Sequence, residues 1–245
     1  MFLKWPNPLH SVVRRGGASR FVFLCDHASN HVPAELIGLG VAAEDLQRHI
    51  GWDIGAAGVT EFLSEYFDAP AILCGVSRLV IDCNRQLDAP DLIPEASDGT
   101  VIPGNLGLGE AARSARIDRW FRPYHDAVEA VLDERAGSVV VSIHSMTPSL
   151  RGADRPWQIA LSSYLDRSLA DPVLAALRAP DDVVVGDNQP YDLDPAVDYS
   201  VPYHAMRRGL PHVQVEFRQD EVADPDSQRL WAIRFAAALQ LSVEG

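Results

Sequence analysis

Val139-Val-Val-Ser-Ile143, followed by His144-Ser145, reads as a buried β-strand that delivers an imidazole to its carboxyl end. Two other segments have the same form. Phe21-Val-Phe-Leu-Cys25 runs into Asp26-His27, and Val213-Gln-Val-Glu-Phe217 carries Glu216 near its end, with Arg218-Gln-Asp220 after it. In open α/β sheets, ligands bind in the crevice outside the carboxyl ends of the strands. Two imidazoles and a carboxylate brought to one such edge are the parts of metal-assisted hydrolysis.

Working outward, Ala71–Cys74 reads as a short strand, 77–84 as another, and 183–185 as a third, with an apolar stretch at 157–161. Gly51-Trp-Asp53 opens a helix whose apolar stripe is Ile54, Ala57, Val59, Phe62, Leu63 and Phe67. Helices are expected near 110–135, 168–178, 198–209 and 226–241, with Pro123 either kinking the first or starting a second. Residues 1–20 read as irregular. Residues 86–109, rich in Asp, Pro and Gly, read as a long loop that is functional or mobile and could act as a lid. Strands alternating with helices imply a single α/β domain over 1–245, with a mostly parallel or mixed central sheet covered by helices on both faces.

The net charge of −13 argues against nucleic acid or an anionic membrane as partner, since both require a basic face. It permits a small anionic substrate held by a few local arginines. Cys25, Cys74 and Cys83 all fall in apolar runs, which suggests reduced core thiols. No signal-peptide pattern and no membrane-length apolar run are visible, so the cytoplasm is the expected location. Nothing in the sequence marks an oligomeric interface.

His27 and His144 are each placed to bind a metal or act as a base, with a hydrogen-bonded structural role as the alternative for either alone. Asp53 is a plausible helix N-cap or the third member of a His/His/Asp metal set with an open position. Period-2 alternation puts Val213, Val215 and Phe217 on one face of their strand, and Gln214, Glu216 and Arg218 on the other. Glu216 is therefore a surface residue of an edge strand or a buried carboxylate that moves protons beside a metal. Arg78, and Asn84 beside Arg85, suit recognition of a carboxylate; ion pairs to Asp82 or Asp88 are the structural alternative. His204, ahead of the Glu216 strand, could reach the site. His31, His49 and His125 read as ordinary surface or helix residues.

Seven blocks, in order, resemble the N-formylglutamate amidohydrolase family. They are Asp26-His-Ala-Ser-Asn-His-Val-Pro33, His49-Ile-Gly-Trp-Asp-Ile-Gly-Ala56, Ser77-Arg-Leu-Val-Ile-Asp-Cys-Asn-Arg85, Phe121-Arg-Pro-Tyr-His125, Ile143-His-Ser145, Gly186-Asp-Asn-Gln-Pro-Tyr191, and Arg208-Gly-Leu-Pro-His-Val-Gln-Val-Glu-Phe-Arg-Gln-Asp220. The resemblance implies a three-layer α/β/α fold similar to the zinc carboxypeptidases and aspartoacylases. It implies hydrolysis of N-formyl-L-glutamate or a related small anionic N-acyl amino acid, with a divalent metal, zinc by preference. By the same resemblance His27 and His144 are metal ligands with Asp53 as the third. Glu216 is the general base and acid, Asn84 and Arg85 hold a substrate carboxylate, and Arg78 binds substrate or polarises the carbonyl. The carboxypeptidase pattern is His-x-x-Glu, whereas Asn30 stands three residues after His27 and is grouped with the substrate-binding residues. Other readings are an amidase or peptidase of the same fold with another acyl substrate, and a non-catalytic binding protein.

Overall fold

The computed structural model describes residues 9–244. In chain order its elements begin with β1 (His10–Val13), β2 (Phe21–Cys25), a single turn α1 (Ala43–Leu46), α2 (Ala56–Phe67) and β3 (Ala71–Cys74). A small hairpin, β4 (Ala96–Ser97) with β5 (Thr100–Val101), is followed by α3 (Glu110–Arg116), α4 (Arg122–Asp133) and the long β6 (Val139–Met146). A second hairpin, β7 (Ser149–Leu150) with β8 (Ala153–Asp154), precedes β9 (Ile159–Ser162), α5 (Ala170–Arg178) and β10 (Val185–Asp187). The chain closes with α6 (Ser200–His204), β11 (His212–Arg218) and α7 (Pro225–Glu244).

Seven strands form one sheet in the order β1-β3-β2-β6-β11-β9-β10. The central four, β3, β2, β6 and β11, are mutually parallel. β1 pairs antiparallel to β3, and β9 antiparallel to β11, so the sheet is mixed. Alternate side chains feed two cores. Phe21, Phe23, Val139, Val141, Val213, Val215 and Phe217 pack with Val59, Leu63, Val173, Trp231 and Phe235 of α2, α5 and α7. Val22, Leu24, Ile72 and Val140 face the other way, onto Tyr124, Val128 and Val131 of α4 and the buried run 79–81. Each such side chain removed from water contributes roughly 1.5–3 kcal/mol. The two cores together fix the central strands whose carboxyl ends carry the polar residues. This is the expected three-layer α/β/α arrangement.

Several expectations are corrected. Segment 77–84 is not a strand. Val80 N–H donates to Ser77 O at 2.8 Å, Leu79 N–H to Ser77 Oγ, and Asn84 N–H to Asp82 Oδ1, so side chains and turns satisfy the backbone in place of a sheet ladder. The irregular N-terminal stretch contains edge strand β1; the part over residues 1–8 lies outside the described residues. The strand expected at 183–185 is found as Val185–Asp187. Asp53 is not a side-chain cap of α2: Gly55 precedes the helix, and the Asp53 carboxylate points elsewhere. Gly55 has φ +85°, and a Cβ there would lie 2.3 Å from the Val222 carbonyl, so only glycine fits. Between α3 and α4, Ile117–Phe121 forms a π-helical turn, with Pro123 in the first turn of α4.

The 86–109 segment is packed. Leu92, Ile93 and Ile102 are buried, and Asn105 Nδ2 donates to the Leu79 and Pro94 carbonyls. None of its residues lines the cleft that holds His27, His144 and Glu216, so the segment does not act as a lid over it in this structure; residues of 147–155 and 191–198 line that cleft instead. Cys25, Cys74 and Cys83 are buried thiols, as expected. No helix among the described residues is long and apolar enough to cross a membrane.

Candidate metal centre and cleft

Parallel pairing sets Glu216 on β11 directly beside His144 on β6, both on the sheet face away from the α2/α5/α7 core. His27 stands just past the end of β2 on the other side of β6, and its carbonyl accepts the Asp53 N–H at 3.0 Å. That main-chain bond holds the 51–55 turn against the strand end. Asp53 Oδ2 then lies 3.2 Å from His27 Nδ1 and 2.9 Å from His144 Nδ1, and it accepts the Ser145 N–H. One nitrogen from each histidine and one carboxylate oxygen all lie within 4.8 Å of one another.

The far side of each imidazole is held too. His27 Nε2 is 2.7 Å from Asp82 Oδ1, and His144 Nε2 is 3.0 Å from Ser142 Oγ and 3.3 Å from Asp26 Oδ2. Asp26 is fixed in turn by Ser200 Oγ and Tyr124 Oη, which both donate to it. A carboxylate behind each ring, with Nδ1 left toward a common point, is the arrangement that orients a metal-ligating histidine. The nitrogen and oxygen donors suit a borderline divalent ion such as zinc.

Charge points the same way. Burial alone would push Asp26, Asp53 and Asp82 toward protonation. Hydrogen bonds and charges from His144 and His27, and for Asp82 from Arg78 first, outweigh it and hold all three below the usual carboxylate range. Burial and Arg78 disfavour protonating His27, but Asp82 and Asp53 prevail, so its pKa is raised; that of His144 is raised well above the usual value by Asp26 and Asp53 against burial. Three ionised carboxylates thus surround the two imidazoles; Arg78 pairs with Asp53 and Asp82, Arg85 adds a more distant charge on Asp82, and Asp26 is held by His144, His27 and Ser200. The remaining negative charge is met either by protonated imidazoles or by a cation bound between them. His27, Asp53 and His144 therefore fit a divalent metal.

Glu216 is 6% exposed, and no hydrogen bond reaches its carboxylate from the described residues. Burial raises its pKa to about 7, with Asp53 adding to the effect and His144, His27 and Arg78 opposing it. It lines a cleft of about 280 Å³, together with the two histidines, Asp53, Arg78, Asn84 and Arg85.

Arg78 is ion-paired, with Nη2 and Nε on Asp82 Oδ2 at 2.7 and 3.1 Å and Nη1 3.3 Å from Asp53 Oδ1. Asn84 accepts the Tyr199 and Ser200 N–H groups and donates to Asp198, leaving one amide N–H for a ligand. Arg85 donates from Nε to the exposed Asp91.

Two residues expected at the site lie apart from it. His204 is fully buried against His125, its Nε2 2.9 Å from His125 Nδ1, and does not line the cleft. The pair joins α6 to α4, and burial lowers the pKa of both rings. Asn30 is half-buried and also off the cleft wall.

Sequence reading missed Asp26 and Asp82 as holders of the histidines, though both stand inside the quoted motif blocks. It also missed Arg155, which reaches the cleft from the end of the β7–β8 hairpin and has no motif around it.

Comparison with known proteins agrees with this geometry. The family model for N-formylglutamate amidohydrolase matches residues 19–223. A crystal structure of an Agrobacterium tumefaciens gene product superposes with a TM-score of 0.93 at 34% identity, covering 96% of this chain and 95% of that one. The N-formylglutamate amidohydrolase of Ralstonia eutropha has the same fold, with a TM-score of 0.76 at 20% identity over 96% and 97% of the two chains. A search of curated proteins finds no match. The match over most of the chain, with the histidine and carboxylate positions gathered at one strand edge, places this protein in the N-formylglutamate amidohydrolase family.

Proposed function

We propose that this amidohydrolase cleaves the formyl C–N bond of N-formyl-L-glutamate or a close N-acyl amino acid, yielding formate and the free amino acid. His27, Asp53 and His144 would hold a divalent metal, zinc by preference. The observation that carries the reading is the pair of carboxylate-backed imidazoles converging on Asp53 beside a buried Glu216. When bound, the metal supplies Lewis acidity, acidifying water and polarising a carbonyl.

The side chains account for the rest. Glu216, whose pKa burial raises to about 7 in the metal-free protein, accepts the proton of the attacking water and returns it to the departing nitrogen. Because no hydrogen bond ties its carboxylate, that carboxylate can change partners between the two steps. Arg78, clamped by Asp53 and Asp82, presents a fixed positive charge to the oxygen that becomes negative during attack. Arg85 grips the α-carboxylate, steadied by Asn84, which fixes the neighbouring 198–200 backbone.

The test is formate release from N-formyl-L-glutamate before and after chelation, with zinc, cobalt and manganese restored one at a time. Release that chelation abolishes and one metal restores is expected. Release that survives exhaustive chelation would remove the metal from the reaction, and none with any metal would remove this substrate.

The histidine holders give a further expectation. Asp82→Asn keeps the shape but loses the charge that orients His27. Its metal affinity should fall about 10- to 100-fold, read by competition against a chromogenic chelator. Unchanged affinity would mean that Asp82 serves Arg78 alone.

A further inference from the structure

We infer that Arg155 is the residue that selects an acidic side chain on the substrate. This rests on the amidohydrolase reading above and deepens it. Arg78 is paired with Asp53 and Asp82, and Arg85 with Asp91 and, at 3.9 Å, Asp198. Arg155 lines the same cleft and is 8% exposed, yet no carboxylate of the described residues lies within ion-pair distance of it. A buried cation without a counter-ion is costly unless something anionic arrives to meet it.

Its guanidinium is instead held ready by neutral groups. Nη2 donates to Tyr191 Oη at 2.6 Å and Nη1 to Thr147 Oγ1 at 3.3 Å, and the group lies 5.0 Å from the centroid of the Tyr191 ring. The backbone is pinned on both sides, by Arg155 N–H donating to Pro148 O and by Arg218 donating to the Arg155 carbonyl. Two of the five guanidinium N–H groups are engaged, which leaves a fork for a carboxylate.

With Arg85 taking the α-carboxylate, the second anionic group that fits Arg155 is a side-chain carboxylate of the acyl amino acid. Binding there also ties Arg155, just after the β7–β8 hairpin, to the 188–191 segment after β10, which carries Tyr191. Without such a ligand, neutral hydroxyls are the guanidinium's partners among the described residues.

The experiment compares N-formyl-L-glutamate with its neutral isostere N-formyl-L-glutamine. Wild-type kcat/KM is expected to favour the glutamate compound by about 100-fold or more. In Arg155→Met the ratio should collapse to within about threefold, with glutamine-compound turnover little changed. Arg155→Lys, which keeps the charge but loses the fork, should fall between them and carries the test should the methionine variant fail to fold. A structural role alone would slow both substrates by the same factor; that result, or an unchanged ratio, overturns the inference.

Calorimetric titration of the same two compounds into metal-loaded Glu216→Gln protein, with and without Arg155→Met, reads the preference without turnover. Binding that favours the glutamate compound, when the metal-loaded wild-type enzyme releases no formate from it, would leave Arg155 standing and sink the proposed reaction. Equal binding of the two compounds to the protein that retains Arg155 would do the opposite.

Discussion

Replacing Glu216 with glutamine is expected to lower amide hydrolysis by about 10²- to 10⁴-fold, the usual worth of a positioned acid–base group, while leaving the bound metal in place. The isosteric amide fills the same space on β11 and cannot take up a proton. Glu216 is outside the His27–Asp53–His144 group, so metal content is the control that separates loss of chemistry from loss of the site. The same substitution has an opposite effect on stability. In the metal-free protein, burial lifts the Glu216 pKa from an ordinary 4.5 to about 7. The folded state therefore holds this proton more tightly than the unfolded chain does. Stability from this group is complete below about pH 4.5 and is lost as pH rises through 7, by an amount on the order of 3 kcal/mol. Glutamine has no such dependence. The metal-free variant should melt several degrees above the metal-free wild type at pH 8 and alongside it at pH 4.5. Scanning calorimetry at the two pH values checks this. Equal melting at pH 8 would mean that the carboxylate ionises without penalty and is not poised as a base.

That Glu216 could be placed at all from sequence reflects the nature of its strand. In β11 the alternation of Val213, Val215 and Phe217 with Gln214 and Glu216 survives folding because one face packs on α2, α5 and α7. The same holds for β6, where Val139, Val141 and Ile143 face that core and His144 faces the cleft. Segment 77–84 failed for the converse reason. Leu79, Val80 and Ile81 are all buried in the second core, and a fully buried irregular turn has the same apolar run as a buried strand. Nor could sequence separation reveal that Asp82, 55 positions from His27, would reach its Nε2. Asp82 was visible only as a local partner for Arg78, and it serves both. Arg155 had no signal because what sets it apart is that its partners among the described residues are hydroxyls and not carboxylates, which only the folded surroundings define. His204 misled because proximity in sequence to a functional strand says nothing about which side of that strand a preceding turn packs against; here α6 turns the ring into His125.

Substituting Asp53 by asparagine should abolish stoichiometric metal binding and, with it, more than about 99.9% of the hydrolytic rate. Asp53 Oδ2 is the atom on which both Nδ1 nitrogens converge, and the neutral amide that replaces it is a poor ligand for a hard or borderline divalent ion. Melting temperature alone is the wrong readout. The carboxylate also accepts from Arg78 and from the Ser145 N–H, so the metal-free variant loses a buried charge pair and should itself be several kcal/mol less stable. The informative quantity is the change when metal is added. A ligand that binds only the folded state at 100 times its Kd stabilises it by about 2.7 kcal/mol, a rise of roughly 5–10 °C for a chain of this length. Wild type should show that rise and Asp53→Asn should not. A variant that still gains the full increment and carries one equivalent of metal would place the third ligand elsewhere in the cleft and return Asp53 to the role of a buried partner for Arg78.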